Sequence, residues 1–416
     1  MGSRICSLCG SQSAAALTKA AAGVLMLVLL ASCGDTFRPV ANPIPQPGGD
    51  PAGLGNAIIL SANGVGTTPG TASHINVSGD TVTAVHDVGA NPVHAMLVGS
   101  EAFVANQNSD SLTVYLVTSA GGSSVTTITL PSGSKPTFVN TTDNTNVYVA
   151  EQGTNAIGVV SFASLTAGPT PITDSSISAP VAIAELPNAS KIYVANSGSG
   201  QVTVIDPATL TVKGAFIVGS NPQAIVASAD NNCVYVANQG SNTVSVIKTS
   251  TDPLSPPTTA PTIGVGAGPT FLLFDNKLQR VYVVNTAGGS ISIINHVADC
   301  SATSATTVMV GASPTSITAL SDGTRAYVAN SGSNTVSVIL TSSNTVKTFP
   351  APHNPPNAIA VGTTPVSIGS STDGAKVFVA NKGSGNVSVI RTSDDSVILT
   401  QPLTPANSSP QFVLMF

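Results

Sequence analysis

Charged residues are scarce in this sequence. Lys, Arg, Asp and Glu together make up 8% of the 416 residues, against about 25% in a typical soluble domain. Lys and Arg number 14 and Asp and Glu number 19, so the formal net charge is −5. Nucleic-acid binding requires clustered Lys and Arg, and attraction to anionic lipid head groups requires a basic surface. The composition therefore argues against both kinds of binding.

The residues that usually carry catalysis are also few. The five histidines are scattered and no pair of them has the spacing of metal ligands; they are His74, His86, His94, His296 and His353. The chain has no Gly-x-Ser-x-Gly elbow and no phosphate-binding loop with a lysine. The sequence accordingly predicts no metal site, no bound cofactor and no catalytic constellation, and it favours a protein that is not an enzyme.

The N-terminal stretch has the features of an export signal. Residues 20–32 read AAAGVLMLVLLAS after Lys19, which is too short to span a bilayer but suits the apolar core of a signal peptide. The string Leu-Ala-Ser-Cys that ends at Cys33 resembles a bacterial lipobox, in which that cysteine is lipidated and becomes the new N-terminus. The alternative is an ordinary secretory signal with a chance cysteine. Since Gly34 and not Asp follows Cys33, we expect the outer membrane and not the inner one.

Three segments follow from this interpretation. Residues 1–32 are the lipoprotein signal peptide, and residues 33–55 are the acylated Cys33 with a Pro- and Gly-rich tether that cannot form a core. Residues 56–416 are the folded domain. An acylated cysteine beside a flexible spacer is what a domain displayed on a membrane needs.

The folded domain is a repeat. Residues 234–247 read VYVANQGSNTVSVI, two strand-forming runs around a polar connection, which is a hairpin signal. Related segments start at residues 60, 103, 148, 193, 235, 282, 327 and 378. A proline-led apolar run precedes each VYVA-like run, and a looser strand follows each TVSVI-like run. A period in the forties, built only of strands, predicts four-stranded antiparallel blades around an axis.

The units resemble YVTN-type β-propeller repeats, the family of surface-layer, YncE-like and lactonase-like propellers, over roughly residues 56–416. The fold class is therefore all-β, a propeller of eight blades by repeat count. Seven blades is the alternative, because the segment at Leu60 reads LSANG where the others read YVAN. The chain opens with a unit that lacks a proline-led run and ends with a spare one, residues 410–416. Pairing of the two would close the ring.

Two residues stand out as weak candidates for the channel or its rim. His94 lies on a predicted axial strand, and Glu151 replaces the asparagine of the YVAN motif at a strand end. For both, a purely structural role is the more ordinary interpretation. Of the five cysteines, Cys6 and Cys9 leave with the signal peptide and Cys33 is lipidated, so Cys233 and Cys300 remain. An even pair in an exported protein suggests a bridge. Two unpaired thiols are the alternative.

Three functional hypotheses remain. The favoured one is a monomeric, lipid-anchored binding or structural scaffold at the bacterial cell envelope, with an unknown protein or small-molecule partner on a rim of loops. The second is an exported lactonase-like hydrolase with a site at the channel mouth, which would need a converging cluster of an acid, Arg and His. The third is a redox propeller that holds haem or quinone. The quinone-cofactor propellers are expected to carry a tryptophan in each blade. The absence of Trp therefore counts against a resemblance to them.

Overall fold

The computed structural model describes residues 55–64, 66–117, 123–141, 145–165, 168–251, 257–350 and 355–416. The predicted signal peptide, Cys33 and all of the tether except Gly55 lie outside these ranges. Within the described residues the strands form eight sheets of at least four strands each. No helix among those residues is long and apolar enough to cross a membrane.

Each sheet runs from an innermost strand near the axis to an outermost strand at the periphery. The innermost strands, for blades 1 to 8, are Ser409–Met415, Pro92–Val98, Pro136–Asn140, Pro180–Glu185, Pro222–Ala227, Pro269–Asp275, Pro314–Ala319 and Pro365–Ser370. The second strands are Asn56–Ala62, Glu101–Asn106, Asn146–Glu151, Ile192–Asn196, Cys233–Asn238, Arg280–Asn285, Arg325–Asn330 and Lys376–Asn381.

The third strands are Pro69–Asn76, Ser111–Leu116, Ala156–Ser161, Gln201–Asp206, Thr243–Lys248, Ser290–Asn295, Thr335–Leu340 and Asn386–Arg391. The outer strands are Thr81–Ala90, Ser123–Thr129, Thr170–Ile172, Thr211–Ile217, Thr262–Gly264, Thr306–Met309, the pair Thr345–Val346 and Ile359–Ala360, and Ser396–Pro402. Thr258–Thr259 adds a parallel fifth strand to the outer edge of blade 4, and a 3-10 helix spans Phe162–Ser164.

The second strands are buried on both faces, because each blade packs between two others. Their aromatic position, which is Tyr in five blades and Phe in two, is 0% exposed throughout: Phe103, Tyr148, Tyr193, Tyr235, Tyr282, Tyr327 and Phe378. Leu60 takes the same position in blade 1 and is also fully buried. The segment LSANG is therefore a blade strand, and the prediction of eight blades is confirmed.

The ring closes as the repeat count predicts. The C-terminal strand pairs with the first strand of the chain in antiparallel register, with Ile58 opposite Leu414 and Leu60 opposite Phe412. Each innermost strand also contacts the innermost strand of the next blade, all the way round from blade 1 to blade 8 and back. Blade 1 is thus built from both ends of the domain, and the ring has no open blade face.

The asparagine of the YVAN motif has a packing role. At the end of the second strand of blade 5, Asn238 donates hydrogen bonds to the hydroxyl groups of Thr243 and Ser245 on the third strand, at 3.1 and 2.9 Å. Gly219, three residues before the proline, lies against this amide, and a Cβ there would be 2.7 Å from the Cβ of Asn238. The close approach explains why a glycine precedes the proline-led strand.

Candidate functional site

His94 is not a channel-lining residue. It is 2% exposed on the innermost strand of blade 2, and its ring stacks on Phe138 of blade 3 with a centroid distance of 4.1 Å. It also tilts against Phe412 of blade 1 at 5.2 Å. Its Nδ1 accepts a hydrogen bond from the backbone N–H of Val139 at 3.1 Å. His94 therefore joins the inner strands of three blades.

This environment fixes the charge state of His94. Burial lowers its pKa from 6.5 to about 3, so the ring is neutral near pH 7. Since Nδ1 accepts, the proton lies on Nε2, an atom that is buried and has no hydrogen-bond partner among the described residues. A neutral ring held between two Phe rings suits packing better than acid–base catalysis.

Glu151 is also buried, with 0% exposure at the end of the second strand of blade 3. Its Oε2 accepts a hydrogen bond from Thr154 Oγ1 at 3.0 Å, while no described residue hydrogen-bonds to Oε1. Burial raises the pKa of the Glu151 carboxyl, the hydrogen bond from Thr154 opposes this, and the nearby charge of Asp110 raises it further. Glu151 lies on the face of the ring that carries the connections between second and third strands.

Cys233 and Cys300 form a disulfide in the structure. Cys233 begins the second strand of blade 5, and Cys300 lies in the connection between the third and outer strands of blade 6. The bridge therefore joins two neighbouring blades on the face opposite to Glu151.

A Tyr–His–Asp chain, which sequence reasoning missed, lies beside this bridge. The hydroxyl of Tyr235 lies 2.8 Å from His296 Nδ1, and His296 Nε2 lies 3.0 Å from Asp230 Oδ2. Burial raises the pKa of Asp230, but hydrogen bonds from Ser228, Asn232 and His296 outweigh it and lower that pKa to about 2. Tyr235 is fully buried, and the side chains of His296 and Asp230 are 4% and 30% exposed. The chain of contacts therefore links blades 5 and 6, and only its acid end reaches the surface.

A second cluster that the sequence did not reveal lies between blades 1 and 2. His74 Nε2 is 3.2 Å from the hydroxyl of Tyr115, and His86 stacks on the Tyr115 ring at 4.9 Å. Burial, with a smaller contribution from His86, lowers the pKa of His74 to about 4. The two histidines are twelve residues apart in the sequence and lie on adjacent strands of blade 1. The short spacings that mark metal ligands in a sequence therefore did not connect them. Among the described residues, no group of three His, Cys, Asp or Glu could hold a metal ion.

The third missed cluster is ionic and lies between blades 7 and 8. Asp395, whose side chain is 0% exposed, accepts from Arg325 at 2.8 Å and from Lys347 at 2.5 Å. The hydroxyl of Tyr327 donates a short hydrogen bond to the same carboxylate. Three donors from blade 7 thus converge on one acid of blade 8.

The connections between second and third strands form an exposed, polar rim on one face of the ring. In blades 2 to 8 these connections are four-residue turns. In four of them the last side chain of the turn ties it to the next blade, as the carboxylate of Asp110 shows. It accepts from the backbone N–H groups of Gly133 at 2.7 Å and Lys135 at 2.8 Å in the next blade. Asn242 and Asn334 make the equivalent contact to Gly268 and Thr364 at 2.8 Å. The rim is therefore a surface of short turns, four of them fixed by side-chain hydrogen bonds, that presents Gln, Ser, Thr, Asn and Lys side chains and glycine backbone.

No family model matches this chain, and no curated protein matches it. Among solved structures it is similar to dihydro-haem d1 dehydrogenase NirN, with 12% identity, a TM-score of 0.66 and coverage of 90% of this chain and 78% of that one. It is similar to AztD of Citrobacter koseri, with 10% identity, a TM-score of 0.63 and coverage of 87% and 98%.

Similarity extends to a catalytically inactive virginiamycin B lyase of Staphylococcus aureus solved with quinupristin, with 19% identity, a TM-score of 0.53 and coverage of 70% and 91%. At such identities the likeness concerns the fold alone, because propellers host many unrelated activities. The neighbours support the propeller fold, and the repeat and the ring of eight sheets give its blade number: this chain folds as an eight-bladed β-propeller.

Proposed function

We propose that this propeller is a lipid-anchored binding or structural scaffold of the bacterial cell envelope, and that its repeats are of the YVTN type. The observation that carries the proposal is where the polar residues lie, some buried inside the ring and others exposed on one face. The two candidate residues, His94 and Glu151, are buried between and within blades, whereas the rim of strand-two-to-three turns is exposed and polar.

A rim of short, fixed turns favours binding over catalysis. Catalysis would require an acid, a base or a nucleophile that converges on a substrate, and the titratable clusters around His74, His296 and Asp395 are committed to contacts between blades. Binding through exposed loops on a rigid scaffold has no such requirement. The partner on the rim is a protein or a small molecule, and a single copy of the chain is sufficient to build the surface.

The anchor is tested by Cys33→Ser. If Cys33 is acylated, the substituted protein leaves the membrane fraction and no longer partitions into detergent, while its far-UV circular dichroism stays that of the wild type. Protease treatment of intact and permeabilised cells then reports which side of the outer membrane the propeller occupies. A Cys33→Ser protein that stays membrane-bound would show that the anchor lies elsewhere.

The hydrolase and redox alternatives are tested on the purified protein. A scaffold shows no lactone hydrolysis above background, and His94→Gln and Glu151→Gln leave that background unchanged. Lactonase activity in the wild type that either substitution removes would favour the hydrolase. Visible absorbance of a bound haem or quinone would favour the redox propeller.

A further inference from the structure

Basic residues recur at one position of the second strand, two residues before its aromatic. Blades 6, 7 and 8 have Arg280, Arg325 and Lys376 there, and Lys191 takes the same place in blade 4. The position lies at the edge of the ring face opposite to the rim. Each of these side chains reaches into the connection between the third and outer strands of the following blade.

The contacts follow one pattern. Arg280 Nη1 donates to the backbone carbonyl of Thr341 at 3.4 Å and to Asn344 Oδ1 at 3.0 Å. Arg325 Nη1 donates to the carbonyl of Thr392 at 2.6 Å and to Asp395 Oδ1 at 2.8 Å. In both cases the acceptors are a carbonyl at residue i and a side chain at residue i+3 of the next blade.

The same pattern closes the ring between blades 8 and 1. Lys376 Nζ donates to the carbonyl of Val77 at 2.6 Å and to Asp80 Oδ2 at 2.7 Å. The i+3 residue has a left-handed backbone each time, with φ of +54° at Asp80, +53° at Asn344 and +60° at Asp395.

Blade 4 shows the carbonyl half of the pattern. Lys191 Nζ donates to the carbonyl of Thr249 in blade 5 at 2.9 Å, and residue i+3, Asp252, lies outside the described residues. We call this contact between a second strand and the next blade the clasp.

Blade 5 has Cys233 at the clasp position. Its Sγ lies 3.6 Å from the carbonyl of Val297 in blade 6, which is residue i of the pattern. Residue i+3 is Cys300, with the same left-handed backbone at φ +62°. The disulfide therefore joins the two positions that a cation and a polar acceptor occupy at the boundaries between blades 6 and 7, 7 and 8, and 8 and 1.

We propose that the Cys233–Cys300 bridge is the covalent form of the clasp and makes the boundary between blades 5 and 6 sensitive to redox conditions. A dithiol transfers two electrons and two protons to the bridge, which breaks the S–S bond and leaves two thiols, while the dithiol itself is oxidised to a disulfide. A thiol is a weak hydrogen-bond donor and does not replace an ion pair. The boundary is then unclasped, whereas the clasps made by Lys or Arg do not respond to reductant. Its biological meaning rests on the proposed export, because disulfides persist in oxidising compartments.

An exchange of the two chemistries tests the proposal on the purified full-length protein, so the result does not depend on where the protein resides. The wild type with dithiothreitol and Cys233→Ser/Cys300→Ser without it should both melt several degrees below the oxidised wild type. Cys233→Lys/Cys300→Asp, which copies Lys376 and Asp80, should recover a large part of that loss and should melt at the same temperature with and without reductant.

The reciprocal variant Lys376→Cys/Asp80→Cys provides the second arm. Thiol counting on the oxidised, denatured protein should find no free thiol from these two positions. Hydrogen exchange should show that reductant loosens the boundary between blades 5 and 6 in the wild type, and the boundary between blades 8 and 1 as well in this variant. Two outcomes would overturn the proposal. In one, reductant changes neither the melting temperature nor the hydrogen exchange of the wild type. In the other, the Lys376→Cys/Asp80→Cys protein keeps both thiols free under oxidation.

Discussion

Glu151 occupies the space that Gly158 leaves on the neighbouring strand. A Cβ added at Gly158 would lie 2.4 Å from Glu151 Oε1. In blade 2 the corresponding residues are Asn106 and Thr113, which are joined by a hydrogen bond of 3.0 Å. Blade 3 has therefore exchanged a medium-sized pair for a large residue and a glycine that makes room for it.

This exchange predicts strong coupling between the positions. Gly158→Thr alone should destabilise the protein, because overpacking a filled core costs about 1–3 kcal/mol, and Glu151→Asn alone should leave a void. The triple variant Glu151→Asn/Ala156→Ser/Gly158→Thr copies blade 2. Its loss of unfolding free energy should be smaller than the sum of the losses of the three single variants. Urea denaturation of the single and triple variants measures the coupling. Additive effects would contradict the packing argument.

The raised pKa of Glu151 predicts a pH dependence. Because the folded-state pKa lies above the unfolded value, the folded protein binds this proton more tightly. Stability should then fall as pH rises from about 4.5 through the folded pKa, by about 1.4 kcal/mol per pH unit. Glu151→Gln keeps an acceptor for Thr154 and has no charge to bury. Its melting temperature relative to the wild type should rise across that window, and a constant difference would show that Glu151 does not titrate there.

The lowered pKa of His94 predicts a pH dependence of stability with the opposite sign. Its pKa of about 3 in the folded state lies below the unfolded value of about 6.5. Between those values the unfolded chain binds the extra proton, so stability should fall as pH falls, by about 1.4 kcal/mol per unit for this group. Chemical denaturation from pH 7 to pH 4 should show a shallower decline for His94→Gln than for the wild type. Parallel declines would mean that His94 is not neutral inside the folded ring.

Adjacent acids provide a matched pair for the ionic cluster. Asp395→Asn leaves Arg325 and Lys347 without their shared buried carboxylate, and removal of one partner from a buried ion network typically costs about 3–5 kcal/mol. Asp394 is half-exposed and pairs with Arg391 on the surface, so Asp394→Asn should change the melting temperature little. Equal effects of the two substitutions would remove the distinction between the buried and the surface pair.

The periodic features of this fold could be predicted from the sequence, because every blade repeats the same local chemistry. The strand order, the eight blades and the terminal closure follow from the spacing of the VYVA-like and proline-led runs. The burial of His94 could not be predicted in the same way. Its neighbours Phe138 and Phe412 come from two other blades, and nothing in the local pattern indicates which side of an inner strand faces them.

The clasp could be recognised only from the structure. Its two halves are visible in the sequence as a recurrent residue before the aromatic and a polar residue in the strand connection of the next blade. They have meaning only when blades are placed side by side, because the partners are 58 to 70 residues apart in the chain, and 296 and 299 apart where the clasp closes the ring. The count of cysteines suggested the pairing of Cys233 with Cys300 but left two free thiols as the alternative, and the structure shows the bridge. Its equivalence to the Lys and Arg clasps follows from the structure alone.

The final prediction concerns the C-terminal strand. Deletion of residues 411–416 removes Phe412, Leu414 and Phe416, which are 4%, 2% and 8% exposed. It also removes the innermost strand of blade 1, and so exposes the second strand that pairs with it and the blade faces on either side.

Burial of each large apolar side chain contributes roughly 1.5–3 kcal/mol, so the loss is comparable with the roughly 5–15 kcal/mol that stabilises a whole domain. The truncated protein should be unfolded or aggregated in size-exclusion chromatography and circular dichroism. Deletion of residues 36–52 should leave the melting temperature unchanged, because that stretch precedes the first strand. The milder Leu414→Ala should stay folded but lose about 2–5 kcal/mol. A stable, monomeric truncated protein would show that the ring does not depend on its C-terminal strand for closure.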